Sequence, residues 1–425
     1  MLDCNEAPII RGFFTRVSRL EGAAMRWDIS ADRNRQGVIV ELARKAVALR
    51  PDDVRQWELL AQSLLLMERD DEAVAVLTDA VARLPTAPKL PLMLAGIYHR
   101  LGRVELFERV MRQVPEIPAG DLATTLYRLE LLMKAAAASD AVRIAREILA
   151  RDPTHDAAME RLAYTLKGSP EIMIPICRAA LDRKAGHVLA RYELAAAYAW
   201  LGRSDEARKL IDLDRFVLDR FVTVTDVVAS GEYAAAGAFE GALSDEIARN
   251  PTLKPDPVGK ATRGGLQTAA DLAFTSEGAV GALIGLLRSA ADTFVAGLPD
   301  RSDDPFVAAR PETAAIHAWA VVYPGEGFQK SHIHYSGWLS GVYYVTAPKL
   351  SGGDDVRAGC LALGSLDLPE GRESPWGVRH IRPAPGRLVL FPSFVPHATL
   401  PTKSLEPRIC VAFDVVPCPP QASRW

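Results

Sequence analysis

Residues 331–334 read Ser-His-Ile-His, and this short stretch decides the fold of the C-terminal half. It lies among apolar and β-branched runs that Gly and Pro turns separate, so we expect it to belong to a strand. His332 and His334 are two residues apart, and alternate residues of a strand point to the same face. Both imidazoles can therefore enter one cavity, where neutral imidazole suits iron, zinc and copper.

A third histidine and an arginine follow this pair. His397 ends the sequence Phe-Pro-Ser-Phe-Val-Pro-His at 391–397, where Pro396 fixes the chain as it leaves a predicted strand. Arg408 lies farther along the chain. Two close histidines, a distant histidine and a downstream arginine predict a metal site with a cation for an anionic ligand beside it.

The sequence around these residues consists of short β-rich runs separated by turn residues. The runs are 318–323, 339–345, 359–363, 387–391 and 408–416. Many short strands with turn signals between them indicate an antiparallel sandwich or barrel.

The last of these runs has one mixed face and one apolar face. The mixed face carries Arg408, Cys410, Ala412 and Asp414, and the apolar face carries Ile409, Val411 and Phe413. We expect the mixed face to line the cavity, where the small Cys410 and Ala412 leave room for a ligand beside Arg408. The apolar face should then pack against helices.

The first half of the chain repeats with a period of 34 residues, which separates Pro51 from Pro85. The sequence Tyr-x-x-Leu-Gly-Arg occurs at 98–103 and again at 198–203. Residues between these markers are rich in Ala, Leu, Arg and Glu with helical spacing. The pattern predicts paired helices, with proline between units because it cannot continue a helix.

A 34-residue period of paired helices resembles the tetratricopeptide repeat, here about five repeats over residues 35–212. Residues 1–34 would then be an N-terminal extension or capping segment. The resemblance implies a solenoid with a concave groove that docks a peptide or a protein.

The segment 319–416 resembles the iron(II)/2-oxoglutarate-dependent oxygenases. It is most similar to bacterial members with His-x-His, Ser-Gly-Val-Tyr-Tyr, Phe-Pro-Ser-x-x-x-His and Arg in this order. The resemblance implies a double-stranded β-helix, or jelly roll, and with the repeats an α+β chain. The oxygenase domain would be 213–425, with supporting helices and strands at 213–314 and the β-helix core at 315–416.

The same resemblance implies roles for single residues. His332 and His397 match the two histidines of the metal triad. Arg408 matches the arginine that pairs with the C5 carboxylate of 2-oxoglutarate, for which a guanidinium is well suited. Tyr344 matches a position that often donates a hydrogen bond to the same carboxylate.

His334 stands where this family usually has an acidic ligand. One interpretation, which we favour, is a metal held by His332, His334 and His397. In a second, His334 lies behind the ligands and orients one of them. In a third, His334 is itself the first ligand, Ser336 fills the acid's position, and the metal keeps an extra open position.

The resemblance implies a dioxygenase that uses Fe(II), 2-oxoglutarate and O2 to hydroxylate its substrate. The repeats favour a peptide or protein substrate, because a small metabolite needs no docking groove. Two alternatives stay open: an oxygenase of a small metabolite whose repeats serve partner docking or oligomerisation, and a non-catalytic repeat adaptor with a metal-binding cupin domain. Whether the chain forms homo-oligomers is also open.

The composition argues against several classes of partner. The 425 residues carry a formal net charge of −3, which provides no basic field for nucleic acid or an anionic membrane. The five cysteines are scattered, as in proteins with reduced thiols. The first residues do not read as a signal peptide, and we expect no apolar run long enough to cross a bilayer. The expected location is therefore the cytoplasm.

Overall fold

The computed structural model describes two compact units, Ala31–Ala190 and a second one that combines Met1–Ser30 with Arg191–Trp425. The described residues are 9–11, 26–27 and 36–418, except 68, 119, 135–137, 167, 212, 214–219, 229–232, 234, 236, 256–260, 270, 300–303, 349–355, 403 and 405. Most of the predicted extension, 1–34, therefore lies outside the described residues.

The first unit is a series of helices joined by short turns. They are α1 (Gln36–Leu49), α2 (Val54–Leu66), α3 (Asp70–Arg83), α4 (Lys89–Arg100), α5 (Val104–Arg112), α6 (Leu122–Lys134), α7 (Ala138–Arg151), α8 (Asp156–Thr165) and α9 (Pro170–Arg183). Helices α1 to α5 pack each on the next, as do α6 to α8, and α2 also touches α4. Contacts between near neighbours in sequence are those of a solenoid, so the N-terminal region is tetratricopeptide-like, as the period predicts.

The repeated Tyr-x-x-Leu-Gly-Arg segments adopt the same local structure. At 98–103 and at 198–203 the arginine amide donates to the tyrosine carbonyl, at 2.9 and 2.8 Å. Gly102 and Gly202 both have positive φ, 68° and 77°. A left-handed glycine that closes such a bond ends a helix, which explains why the motif recurs at helix ends.

The second unit contains the remaining elements. Its helices are α10 (Val188–Trp200), which crosses the division between the units, α11 (Ser204–Leu210), α12 (Ala238–Ala248), α13 (Gly278–Ala296) and α14 (Pro305–Ala308). Its strands are β1 (Ile9–Arg11), β2 (Arg26–Trp27), β3 (Thr223–Val228), β4 (Leu253–Pro255), β5 (Thr262–Arg263), β6 (Leu266–Thr268), β7 (Thr313–Tyr323), β8 (Phe328–His332), β9 (Leu339–Thr346), β10 (Leu361–Leu363), β11 (Arg379–Ile381), β12 (Arg387–Pro392), β13 (His397–Thr399) and β14 (Arg408–Pro417).

These strands form two sheets. Within the described residues, one sheet has nine strands in the order β1-β3-β12-β9-β14-β7-β6-β4, with β2 on β7. The other has five, in the order β11-β10-β13-β8-β5. Apart from β1 and β2, which pair in parallel with β3 and β7, neighbouring strands are antiparallel. This arrangement confirms the predicted jelly-roll class.

The five predicted β-rich runs are confirmed as strands, with shifted ends. The run 359–363 begins as a strand only at Leu361, because Gly359 has a φ of 72° that no strand residue adopts. The predicted strand through His332 and His334 was wrong in extent, since β8 ends at His332. Strand alternation alone is therefore not what brings these two rings together.

The two faces of β14 behave as predicted. Ile409, Val411 and Phe413 are buried in a core that they share with α13, whose buried residues include Leu283 and Leu287. Gly341 of β9 lies opposite Phe413, and a Cβ there would come within 2.4 Å of its ring. The glycine of Ser-Gly-Val-Tyr-Tyr is therefore required by this close approach.

Helix α13 also corrects one expectation. It is 19 residues long with a mean hydropathy of 1.4, so by length and composition it is apolar enough to cross a membrane. The expectation that no apolar run reaches that length was wrong. In the structure, 56% of the most apolar 18-residue stretch of this helix is buried inside the protein, where Leu286 and Phe294 belong to the core.

Candidate metal centre and anion pocket

The three predicted histidines lie together between the two sheets. His332, at the end of β8, is directly opposite His397 at the start of β13, and their ring centroids are 4.2 Å apart. His334 follows β8 and lies 5.1 Å from His332 and 4.9 Å from His397 by ring centroid. One ring nitrogen from each lies within 4.8 Å of the others. This spacing allows three imidazoles to share one metal ion.

Hydrogen bonds fix the orientation of the first two rings. His332 Nδ1 lies 2.8 Å from the carbonyl of Lys330, and His397 Nδ1 lies 3.0 Å from the carbonyl of Val395. A carbonyl accepts, so each Nδ1 carries the proton and donates it. The other ring nitrogen, Nε2, then has a free lone pair, as a metal ligand requires.

The third ring is oriented by a carboxylate. His334 Nδ1 lies 2.5 Å from Oδ1 of Asp414, and the Ser340 hydroxyl donates to the same oxygen at 2.6 Å. The hydroxyls of Ser340 and Ser393 are 2.8 Å apart. The backbone adds a further restraint, because the amide of His334 donates to the carbonyl of Ser393 at 3.0 Å.

Burial keeps two of the imidazoles neutral. It lowers the pKa of His332 to about 3, helped by the neighbouring His334 and opposed by the bond to the Lys330 carbonyl. Burial, followed by His332 and His334, also lowers the pKa of His397 well below its usual value. Neutral rings are the form in which histidine binds a metal.

Arg408 lies at the other end of the same space and is 1% exposed. Its Nη1 donates to the carbonyl of Gly359 at 2.9 Å, and its guanidinium lies 4.4 Å from the centroid of the Tyr323 ring. Its Nε and Nη2 are buried and have no hydrogen-bond partner among the described residues. A buried cation with two unpartnered N–H groups is suited to a carboxylate, which accepts two parallel bonds.

A pocket joins the histidines to Arg408. It is lined by Trp319, Gln329, His332, His334, Gly341, Val342, Tyr344, Leu361, Phe391, His397, Thr399, Arg408, Cys410 and Ala412. Cys410 and Ala412 are among them, which confirms that the mixed face of β14 lines the cavity. Burial raises the pKa of the Cys410 thiol to about 11, so it stays protonated.

Two neighbouring tyrosines point in opposite directions. Tyr344 lines the pocket beside Arg408, and burial raises the pKa of its hydroxyl, so the hydroxyl remains a donor. The hydroxyl of Tyr343 instead donates to Glu240 at 2.9 Å, on the helix-covered face. Ser336 is exposed in a turn and does not line the pocket that the three histidines line, so the geometry does not favour the interpretation that gave it the acid's position.

The structure thus brings His332, His334, His397, Arg408 and Tyr344 to one pocket. Sequence reasoning placed Asp414 on the cavity face but assigned it no role, and it gave none to Ser340 or Ser393. Ser340 and Ser393 stand in the motifs Ser-Gly-Val-Tyr-Tyr and Phe-Pro-Ser-x-x-x-His, which could have indicated a role for the two hydroxyls.

Comparison with known proteins found a family model that matches part of the C-terminal half. Residues 317–414 match the family model described as "Putative 2OG-Fe(II) oxygenase". The C-terminal domain is therefore similar to these oxygenases, and the family implies Fe(II), 2-oxoglutarate and O2. The comparison with curated proteins found no match.

Three solved structures resemble parts of the chain. A prolyl-4-hydroxylase from Pseudomonas putida shares 18% identity at a TM-score of 0.32, over 48% of this chain and 96% of that one. A prolyl hydroxylase from Trichoplax adhaerens, in complex with a peptide fragment, shares 17% at 0.31, over 51% of this chain and 91% of that one. YrrB, a TPR protein with an unusual peptide-binding site, shares 16% at 0.32, over 41% of this chain and 94% of that one.

The side chains present fit the metal and co-substrate that the family implies. Three imidazoles with their Nδ1 atoms engaged form a donor set that iron accepts. At the other end of the pocket, the unpartnered N–H groups of Arg408 fit an acidic ligand.

Proposed function

We propose that this protein is an Fe(II)- and 2-oxoglutarate-dependent hydroxylase that acts on a peptide or protein substrate. One observation carries the proposal. A cluster of three oriented histidines and a buried arginine with two unpartnered N–H groups line one pocket. 2-Oxoglutarate has an oxo-acid end that can bind a metal and a distal carboxylate that a guanidinium can bind, so it fits a pocket that offers both.

The residues of the pocket divide the work. His332, His334 and His397 would hold the metal through the ring nitrogens that their hydrogen bonds leave open. Arg408 would pair with the distal carboxylate of 2-oxoglutarate, and the Tyr344 hydroxyl would donate to the same group. Phe391, whose ring centroid lies 4.8 Å from that of His397, together with Val342 and Leu361, would keep water from the bound acid.

The chemistry that bound Fe(II) supplies, with 2-oxoglutarate and O2, is the oxidation that yields succinate, CO2 and a hydroxylated substrate. The chain's own part is to place the co-substrate against the metal and to leave one side of the site for a substrate. Trp319 lies on that side, with its ring centroid 5.6 Å from that of His334 and its side chain partly exposed. We assign it to the substrate-facing wall.

A peptide or protein substrate is supported by the helical unit. That unit has a cleft of about 560 Å³ between α6, α7 and the segment that joins α5 to α6. Its walls combine apolar Ile117, Ile144 and Ile148 with charged Arg128 and Glu147. Such mixed walls suit an extended peptide, which offers both apolar side chains and polar backbone groups.

The proposal is tested by turnover. Purified protein, loaded with Fe(II) in the absence of O2 and then given O2 and 2-oxoglutarate, should release succinate slowly without any substrate. Cell extract treated in the same way should yield peptides that gain one oxygen atom, detected by mass spectrometry. Arg408→Ala protein, which keeps the histidines, is the matched control and should yield much less of both products at a 2-oxoglutarate concentration below the KM of the variant.

The alternatives give different results. Oxygen gained only by small metabolites would replace the peptide substrate with a metabolite. Metal binding without any succinate release, by protein whose histidines are intact, would instead indicate a non-catalytic metal-binding domain.

A further inference from the structure

Three buried polar residues beside the pocket have no task in the proposed chemistry. They are Ser340 of β9, Ser393 after β12 and Asp414 of β14, which are 1%, 0% and 8% exposed. Buried hydroxyl and carboxylate groups are costly to desolvate unless hydrogen bonds compensate. Their presence at one place therefore needs an explanation.

These residues form one hydrogen-bonded chain that ends on a histidine of the cluster. Ser393 contacts Ser340 at 2.8 Å, Ser340 donates to Asp414 at 2.6 Å, and Asp414 accepts from His334 at 2.5 Å. The chain reaches His334 and neither of the other two histidines, whose Nδ1 atoms are bound to backbone carbonyls. His334 is also the residue at the position of the acidic ligand.

The charge balance of the pocket explains why one histidine is bound to a carboxylate and the other two to carbonyls. The pocket-lining residues include one permanent cation, Arg408, and no carboxylate. A divalent metal, the Arg408 cation and a doubly charged oxo acid leave one positive charge over, which three neutral imidazoles do not balance. A buried net charge is unfavourable, and a carboxylate behind an imidazole offsets it through the hydrogen bond.

We propose that Asp414 is a positioning residue that performs, through His334, both tasks of the missing acidic ligand. It holds the His334 ring with its open nitrogen toward the cluster, and it brings one negative charge to the metal centre. Ser340 and Ser393 hold the carboxylate in place. This inference rests on the proposed function, because it requires a metal ion on the three histidines.

The first test is metal affinity, measured without O2 by titrating Fe(II) and Co(II) into the full-length protein. Asp414→Asn keeps the shape and an acceptor oxygen but removes the charge, and should weaken binding about tenfold. Asp414→Ala removes acceptor and charge together, and should weaken binding by up to about 100-fold. Unfolding of the metal-free Asp414→Asn protein should remain close to that of the wild type.

A spectroscopic readout separates this role from a purely structural one. The visible absorption of Co(II) depends on the basicity of its ligands and on their geometry. The bands of the Asp414→Asn protein should therefore shift at full metal occupancy, where a difference in affinity no longer matters. The Glu240→Gln protein is the control, since it changes a carboxylate that accepts from Tyr343 on the other face of the sheet.

A double-mutant cycle makes the test specific. His334→Asp places a carboxylate directly at the cluster, so Asp414 is no longer needed and becomes a like charge beside it. In that background Asp414→Asn should strengthen metal binding rather than weaken it. This sign reversal does not depend on whether the alanine variant folds.

The outcomes distinguish this inference from the proposed function. Wild-type protein that binds neither metal through the histidines would overturn both. Wild-type binding that Asp414→Asn and Asp414→Ala change by less than about twofold, against the 10- to 100-fold expected for such partners, would overturn the inference alone. An Asp414→Asn effect of equal size and sign in the His334→Asp background would also overturn it.

Discussion

The two ends of the pocket are prepared for their ligands in opposite ways. At the histidine end every Nδ1 has a partner within the protein, and each ring is fixed before a metal arrives. At the arginine end, Arg408 has one bond, to the carbonyl of Gly359, while its Nε and Nη2 remain buried without a partner in the described residues. The hydrogen bonds within the protein are therefore satisfied at the histidine end and unsatisfied at the arginine end.

The difference separates what each ligand contributes. A preorganised metal site gains affinity because little side-chain order is lost on binding. A buried cation with unsatisfied N–H groups destabilises the ligand-free protein, and a carboxylate removes that penalty when it binds. We therefore expect the co-substrate to stabilise the fold through Arg408, and metal affinity to be insensitive to changes at that end.

The largest effect is expected at the histidine end. His397→Ala should abolish Fe(II) binding and 2-oxoglutarate turnover. The His397 ring lies close to both other proposed ligands, with its centroid 4.2 Å from that of His332 and 4.9 Å from that of His334, so its loss removes one of the three proposed ligands. Bound iron is measured after gel filtration, and succinate by mass spectrometry. His317→Ala, at a histidine whose side chain is 52% exposed, is the control and should keep both. Full iron content in the His397→Ala protein would mean that the metal site is misassigned.

The next effect concerns the arginine end. Arg408→Ala should raise the KM for 2-oxoglutarate at least about tenfold, since charge-assisted hydrogen bonds are worth about 1.5–3 kcal/mol. Iron binding should be unchanged. In addition, 2-oxoglutarate at one fixed concentration should raise the unfolding temperature of the wild type more than that of the variant. Arg382→Ala, which removes an exposed guanidinium bonded to the Val356 carbonyl, is the control. An unchanged KM would remove Arg408 from the site.

The same contrast shows what the sequence could predict. The helical repeats were predictable because a 34-residue period is a local property, and the glycine-terminated turns at 98–103 and 198–203 repeat in the structure. The strands were predictable from alternation and turn residues. The histidines and Arg408 were identifiable as types and spacings, and the structure brings them to one pocket.

The contacts that orient His334 could not be predicted from the sequence in this way. Asp414 meets His334 only because β14 pairs with β9 in the register that sets Asp414 opposite Ser340. A register between strands far apart in the chain leaves no local signal. The position of His334 beyond the end of β8 depends in the same way on its backbone bond to Ser393.

A smaller effect should follow from filling the space beside Arg408. Cys410 lines the pocket next to the guanidinium, and Cys410→Leu adds volume there without removing a hydrogen-bond partner of Arg408. The KM for 2-oxoglutarate should rise severalfold while Fe(II) affinity stays the same, because the added side-chain volume lies at the arginine end alone. Cys410→Ser, which adds no volume, is the control. Equal losses in metal affinity and KM would show that the two ends are not independent.

The smallest effect is expected from contacts of α10 and α11 that lie outside the pocket. Their loss should weaken metal binding at the histidine end and leave 2-oxoglutarate binding unchanged. Tyr192 of α10 is buried, and its hydroxyl lies 3.5 Å from that of Ser331, the residue before His332. Arg208 of α11 donates to the carbonyl of Pro375 at 2.7 Å. A protein that begins at residue 191 keeps both contacts, whereas one that begins at residue 213 loses both.

Comparing these two truncated proteins isolates the contribution of α10 and α11, because both lack the same repeats and the same N-terminal residues. The shorter protein should bind Fe(II) more weakly, by about tenfold or less, since its change lies behind a ligand rather than at one. Its KM for 2-oxoglutarate should match that of the longer protein, because neither contact involves a residue that lines the pocket with Arg408. Isothermal titration and succinate release measure the two quantities. A higher KM with unchanged metal affinity would contradict this expectation and would mean that α10 and α11 stabilise the arginine end of the pocket instead.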